Sequence, residues 1–302
     1  MPGKDVLVAL VINWKKNKPC MLKLRIITAL ILFPLAVSGI LFLSNSAFSA
    51  AVGIIMLLAA YEWAGFAKFP SILSKLAYVL IVGTIIFSLW LLNFILSSGV
   101  MNGLAVGFWL FALILLSGFP DKVSFWQGRN ALIAVIGVFL LVITWYSLTS
   151  IHAIKELNFA ETVISGPYLV LSVMMLVWIA DTGAYFSGKR FGKTKLAPKI
   201  SPGKSREGVY GGLVLAIIIV SLFTFWHGGA VQDYLNIIVI SIVTVIFSVI
   251  GDLLESMFKR QAEIKDSSNI LPGHGGILDR IDSVTAAGPV FYIALSWVYQ
   301  LN

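Results

Sequence analysis

Nine stretches of this chain are continuously apolar over close to the length of a bilayer crossing, and they constrain its fold more than any other feature. A hydrocarbon core about 30 Å thick takes roughly 20 apolar residues as a helix. Without water in that core, every backbone N–H and C=O must be bonded within the segment or within a closed barrel. The stretches run near residues 25–44, 47–66, 75–97, 102–118, 131–150, 167–188, 209–226, 235–256 and 283–301. None reads as a strand, because barrel strands are short and alternate apolar with polar residues. The expected fold class is an all-α polytopic membrane protein with about nine transmembrane helices. The short polar break Ser97-Ser98-Gly99 between the third and fourth runs is also readable as a kink.

Composition agrees with this reading. Of 302 residues 59% are hydrophobic and 12% charged, whereas charged residues make up about a quarter of a soluble domain. Disorder requires low hydrophobicity, and the single cysteine, Cys20, can form no internal disulfide.

Lys and Arg in short loops stay preferentially in the cytoplasm, so their distribution orients the spans. With nine crossings, Lys15, Lys16, Lys18, Lys23 and Arg25 share one side with Lys68, Lys75, Lys122, Arg129 and the 189–208 and 257–282 loops. The other side holds almost only Lys155. This places the N-terminus in the cytoplasm and the C-terminus outside; eight crossings would spoil the sorting. The net charge of +8 is thereby directed at membrane lipids, and no nucleic-acid partner is expected. Residues 1–20 read as a dispensable extension, since Val6 to Trp14 is short and Lys15-Lys16-Asn17-Lys18 follows directly, while Met21 opens the first span as an alternative start. The remaining chain divides into N-terminal transmembrane helices at 21–165 and a C-terminal region at 166–302 whose two polar loops carry the candidate chemistry.

Few polar groups interrupt the first part. Glu62, in AAYEWAGFA, is its only acid inside an apolar run. An acid at that depth is a functional candidate by default, but near the interface it can also snorkel or pair with a neighbouring Lys. Asp181 lies late in the sixth span, with Tyr185 and Gly188 at i+4 and i+7 on one helix face. Packing would need only the small residues of that face, so the carboxylate points to function. The following loop carries Lys189, Arg190, Lys193, Lys195, Lys199, Lys204 and Arg206 against Glu207 alone. Such a cluster adheres to anionic headgroups. Ser201-Pro202-Gly203-Lys204-Ser205 adds turn chemistry that presents backbone N–H groups beside a Lys, as an anion cradle does. A nucleotide P-loop is excluded, because G-x-x-x-x-G-K-[ST] needs a glycine where Ser187 stands before Gly192-Lys193-Thr194 and where Pro198 stands before Gly203-Lys204-Ser205.

The densest constellation runs over residues 251–282, GDLLESMFKRQAEIKDSSNILPGHGGILDRID. It gathers Asp252, Glu255, Glu263, Asp266, Asp279 and Asp282 beside Lys259, Arg260, Lys265 and Arg280. Asp252, Ser256 and Lys259 form one stripe at i, i+4 and i+7 of the eighth helix. Asp279 and Asp282, three apart at the mouth of the ninth span, can likewise face one way. Hard carboxylate oxygens suit Mg²⁺, which binds through one or two carboxylates plus substrate phosphates and water. Salt bridges closing a loop over the helix ends are the alternative. In Pro272-Gly273-His274-Gly275-Gly276 the backbone can approach a ligand closely, and His274 is either a contact to phosphate or sugar or a turn residue.

The run Ser256-Met257-Phe258-Lys259-Arg260, then Lys265-Asp266, then Leu271 through Asp282, resembles the signature of CDP-diacylglycerol synthases, also called phosphatidate cytidylyltransferases, with nearly every fixed position filled. ADTGAYFSGKRFGKTKLAPKISPGKSREG and MLKLRIITALILFP resemble further segments of the bacterial branch, extending the similarity over 21–302; Arg206 departs from the bulky or uncharged residue more usual there. The resemblance implies a multi-pass inner-membrane enzyme of phospholipid biosynthesis that joins CTP to phosphatidic acid, giving CDP-diacylglycerol and pyrophosphate. It implies Mg²⁺, with a second cation as an option, and makes a homodimer plausible. Carried onto this chain, Asp252 and Asp279 would be the metal ligands, with Asp282 nearby. Lys259 and Arg280 would join them in catalysis and, with Ser256, contact the nucleotide or phosphates. Asp181, Lys204 and Ser205 would form the opposite wall, and His274 and Gly275 would touch substrate.

The chemistry of the substrates fits those roles. A phosphate monoester with a second pKa of about 6 is largely dianionic at neutral pH and supplies the nucleophile itself. In-line attack on the α-phosphorus of CTP then needs positioning and charge stabilisation rather than a protein nucleophile. Because the acyl chains stay in the bilayer and CTP in the cytosol, a laterally open cavity beside helices six, eight and nine is expected at the cytoplasmic face. Two rivals remain: a CTP-dependent lipid-alcohol kinase, and a cation or organic-anion transporter with Asp181 and Asp252 along its path. The clustering of acids beside a loop, without a visible inverted repeat, counts against the transporter.

Overall fold

The computed structural model describes residues 27–92, 98–121, 128–271 and 273–301. The expectations placed on the 1–20 extension, Cys20, Met21, the N-terminal cations, Ser97, Lys122 and Pro272 lie outside the described residues. Nine helices occupy the described chain: α1 (Ile27–Phe42), α2 (Asn45–Phe66), α3 (Ile72–Leu91), α4 (Ser98–Ser117), α5 (Asn130–Ala153), α6 (Gly166–Phe191), α7 (Arg206–Trp226), α8 (Val231–Gln261) and α9 (Leu278–Tyr299). The helices α2 to α9 are long and apolar enough to cross a membrane, and α1 is shorter over its described residues. The chain is an all-helical integral membrane protein. The third and fourth apolar runs are separate helices, α3 and α4. Two antiparallel hairpins lie between helices: β1 (Leu157–Phe159) with β2 (Thr162–Ile164), and β3 (Lys195–Ala197) with β4 (Ser201–Ser205).

Two of the helix boundaries that differ from the apolar runs lie beside the polar constellation. The helix α8 continues past residue 256 to Gln261, because Met257 and Phe258 are fully buried and keep this turn packed, while Lys259 and Arg260 suit the negative end of its dipole. The helix α9 begins at Leu278 rather than near 283, so Asp279 sits in its first turn.

The helices α2, α5 and α9 form the centre of the bundle. Trp63 Nε1 donates to the Ile133 carbonyl at 2.8 Å and Trp145 Nε1 to the Ser49 carbonyl at 2.9 Å, locking α2 to α5. Pro289 inside α9 has no N–H to give the Thr285 carbonyl, four residues back. The Thr144 hydroxyl of α5, which also reaches the Leu140 carbonyl at 2.6 Å, lies 3.1 Å from that carbonyl, so a neighbouring helix brings a donor to the group where water is absent. The helices α6 and α7 approach closely through glycines. A side chain at Gly212 would meet the Ala180 carbonyl at 2.6 Å, and one at Gly183 the Gly211 carbonyl at 2.8 Å.

The loops sort to two ends, as alternate crossings require. At one end Arg260 Nε donates to the Ile200 carbonyl at 3.1 Å, Lys199 approaches Asp121 at 3.9 Å, and Glu62 meets the 267–278 loop. At the other end the Glu161 N–H donates to the His227 carbonyl, joining the β1–β2 hairpin to the α7–α8 connection.

Candidate active site

Two walls face one another at the end where the basic and acidic loops converge. The first is built from α6, α7 and the β3–β4 hairpin around a cavity of about 340 Å³. Asp181, Tyr185, Gly188 and Lys189 of α6 line it, with Lys204 and Ser205 of β4. Its remaining lining is apolar or small: Ala180, Ala184, Gly208, Val209 and Gly212, with Val245 and Val249 from α8. The lining therefore combines charged and apolar side chains. The i, i+4, i+7 stripe of Asp181, Tyr185 and Gly188 faces the cavity as its spacing predicts.

Lys204 reaches across and forms an ion pair with Asp252 of α8, each side chain being 25% exposed. The other Asp252 oxygen accepts the Ser256 hydroxyl at 3.1 Å, one turn further along α8. Asp181 lies within electrostatic reach of both Lys204 and Asp252.

The second wall joins the end of α8 to the start of α9. Lys259 Nζ is 2.7 Å from Asp279 Oδ1 and 3.2 Å from Glu255 Oε2, with little exposure of any of the three. Asp279 Oδ2 accepts from the Ser267 N–H (2.9 Å), the Ser267 hydroxyl (3.0 Å) and the Gly276 N–H (2.8 Å). Asp282 of α9 packs against Gly251 of α8 and interacts electrostatically with Asp252 and Glu255. Each of the two expected metal ligands already holds a lysine, Lys204 on Asp252 and Lys259 on Asp279.

Residues 273–276 turn tightly against Leu271. The Leu271 N–H donates to the Gly275 carbonyl at 2.9 Å, and Gly275 adopts φ +86°, a region open to glycine. Arg280 donates from Nε and Nη2 to the His274 carbonyl at 3.1 and 2.7 Å, so the backbone of the turn holds the guanidinium. A side chain at Gly276 would run into Ser267 and Glu62.

Mg²⁺ fits this donor set by chemistry rather than by a formed cage. Among the described residues, no three His, Cys, Asp or Glu side chains are gathered to hold a metal ion. Buried Glu255 has Lys259 3.2 Å from one of its oxygens, and Asp282 and Asp252 interact with it or with each other, a gathering of hard carboxyl oxygens that suits a cation. A site of one or two carboxylates completed by substrate phosphates and water matches that arrangement.

A family model described as the cytidylyltransferase family matches residues 23–298. The phosphatidate cytidylyltransferase of Pseudomonas aeruginosa is 43% identical over 277 residues, 92% of this chain and 97% of that protein. The phosphatidate cytidylyltransferase of Haemophilus influenzae is 38% identical over 284 residues, covering 90% of this chain and 97% of its own length, and that of Staphylococcus epidermidis is 33% identical over 281 residues, covering 91% and 99%.

The chain belongs to the cytidylyltransferase family.

In this cytidylyltransferase the structure draws the sequence-selected residues into two groups, each interacting electrostatically with Asp282: Asp181, Lys204, Ser205, Asp252 and Ser256 at the cavity, and Lys259 with Asp279 at the loop. Arg280, His274 and Gly275 lie on the outer side of the second group. Residues 201–205 form strand β4, in register with β3 at Ser201 and Ser205, with Gly203, Lys204 and Ser205 along the cavity, and the Ser205 hydroxyl accepts the Gly208 N–H at 3.1 Å as the cap of α7. The hydroxyl is held there because the first N–H groups of a helix lack an internal partner. Glu62 neither snorkels nor pairs with Lys; it accepts hydrogen bonds from the 267–278 loop. Sequence reasoning assigned no role to Glu255, Ser267 or Lys189. Glu255 had an available signal, the i, i+4 spacing to Lys259, whereas the Ser267–Glu62 contact spans two distant segments and leaves no local pattern.

Proposed function

We propose that this cytidylyltransferase joins CTP to phosphatidate, forming CDP-diacylglycerol and releasing pyrophosphate. The observation that carries this reading is the Lys204–Asp252–Ser256 link, which ties the start of the signature stretch to a cavity lined by both charged and apolar side chains. A lipid carrying a phosphate monoester matches that lining. The similarity to phosphatidate cytidylyltransferases over nearly the whole chain supports the same substrates.

The phosphatidate oxygen forms a bond to the α-phosphorus of CTP as the bond to the pyrophosphate leaving group breaks. Lys204 and Lys189 draw the lipid phosphate to the cavity, while Val209, Val245 and Val249 receive the start of the acyl chains. Lys259 and Arg280, with Ser256, hold the nucleotide phosphates from the opposite wall. Lysines and arginines fixed around two polyanions reduce their mutual repulsion and stabilise charge moving onto pyrophosphate. Asp252 and Asp279 would hold Mg²⁺, with Asp282 beside them. When bound, the ion would supply Lewis-acid neutralisation of phosphate charge and a template for in-line transfer. Opening the Lys204–Asp252 pair frees a carboxylate for the ion and an ammonium for the lipid phosphate in one movement.

The reading also places the N-terminus and the site end of the bundle in the cytoplasm, from the distribution of Lys and Arg, with residues 166–302 as the catalytic region and a homodimer as the assembly. Cysteine labelling of the 257–282 loop in intact and permeabilised cells tests the first, and light scattering of the purified protein the last. Incubation with phosphatidate, Mg²⁺ and CTP labelled in its α-phosphate and cytosine tests the reaction. Labelled CDP-lipid is expected. Free labelled CDP formed with a lipid alcohol would indicate a kinase, and no product at all would favour transport.

A further inference from the structure

Glu62 stands on α2, far in sequence from the signature loop, and is 3% exposed. Its Oε1 accepts from the Ser268 hydroxyl at 2.5 Å and the Ile277 N–H at 2.9 Å, and its Oε2 from the Ser267 hydroxyl at 2.9 Å and the Leu278 N–H at 2.7 Å. Two backbone N–H groups and two hydroxyls surround this buried carboxylate, the Ser267 hydroxyl having a single proton to give either to Glu62 or to Asp279, and all four groups belong to the segment that presents Asp279. Two of them are backbone N–H groups at the start of α9, where Ile277 offers no cap of its own. A carboxylate there satisfies orphan donors and complements the helix dipole. Ser267 makes the connection specific: its hydroxyl lies within hydrogen-bond reach of both Glu62 Oε2 and Asp279 Oδ2, and its N–H donates to the same Asp279 oxygen.

We infer that Glu62 is a positioning residue for cytidylyl transfer: through Ser267 and the first turn of α9 it sets the place and orientation of the Asp279 carboxylate. The inference rests on the proposed role of Asp279. It makes the N-terminal helices part of the active-site geometry as well as the membrane anchor. A misplacement of about 1 Å at a reacting centre can cost a factor of about 100, so the loss should appear in turnover. The α6–α7 cavity does not touch Glu62, so lipid affinity should be spared.

The test compares Glu62→Gln, Ser267→Ala, Ser268→Ala and the Glu62→Gln/Ser267→Ala double variant, purified in detergent and assayed for CDP-lipid formation, with thermal unfolding measured in parallel. Each serine variant removes one hydroxyl from Glu62, but only Ser267 also reaches Asp279. Expected is a fall in kcat of about 10- to 100-fold for Glu62→Gln and for Ser267→Ala, with KM for phosphatidate unchanged. Ser268→Ala should retain kcat within about threefold, and the double variant should be little worse than Glu62→Gln, since coupled positions are non-additive. Equal kcat losses in the two serine variants, additive losses in the double variant, or unfolding shifts with full specific activity of the folded protein would each overturn the inference. Absence of CDP-lipid formation by the wild-type protein would instead sink the assigned reaction.

Discussion

Lys204 and Asp252 pair with a quarter of each side chain exposed, at the rim of a cavity, whereas Lys259 and Asp279 pair at 2.7 Å with 10% and 7% exposed. The chemistry of the two pairs is the same and their surroundings differ. Asp252 has, besides its lysine, one hydroxyl at 3.1 Å. Asp279 has three further donors on one oxygen, and its lysine is shared with Glu255. A solvated pair exchanges partners at little cost, while a buried pair loses the solvation it gave up if either member is removed. Loss of one partner is therefore expected to cost more at the second wall than at the first.

The largest expected effect separates the two walls. Asp252→Asn and Asp279→Asn should each lower CDP-lipid formation by at least about 100- to 1,000-fold, the scale of removing one preorganised charge-stabilising group. Their stabilities should diverge. Asp279→Asn leaves the buried Lys259 short of a partner and should cost about 3–5 kcal/mol, whereas Asp252→Asn should cost about 1 kcal/mol or less. Equal losses of thermal stability would erase the contrast between the walls.

The lysines sharpen the comparison from the other side. Lys259→Met strips the cation from between Glu255 and Asp279 and should lower the yield of folded protein. Lys204→Met should leave unfolding nearly unchanged while reducing turnover by about 100-fold. A folded, stable Lys259→Met protein would show that the second wall is not held by charge.

Much of this was legible in the sequence, because hydrophobic length is a local property. Each apolar run holds a helix over its described residues, and two segments that the Lys and Arg distribution put on one side meet where Arg260 Nε donates to the Ile200 carbonyl. The stripes Asp181–Tyr185–Gly188 and Asp252–Ser256 followed from helical periodicity alone. What escaped was set by distant contacts. The α9 boundary depends on Glu62, and α8 continues because Met257 and Phe258 are buried against other helices. The role of Ser205 as a helix cap was hidden because its neighbours Pro202 and Gly203 signalled a turn while the chain paired as a strand.

The smallest effect concerns the apolar lining of the first wall. Val249 of α8 lines the cavity together with Gly212, where α7 comes close enough to α6 that no side chain fits. Val249→Phe would take up space in a cavity of about 340 Å³ without removing any charged group. Filling a hydrophobic pocket alters discrimination by about 1–3 kcal/mol, so KM for phosphatidate should rise by about tenfold with kcat and KM for CTP nearly unchanged. The second wall is untouched, and unfolding should stay close to that of the parent. A rise in KM for CTP in place of phosphatidate would mean that the nucleotide occupies this cavity. The first wall would then receive the water-borne substrate, and the assignment of lipid and nucleotide to the two lysine–aspartate pairs would have to be exchanged.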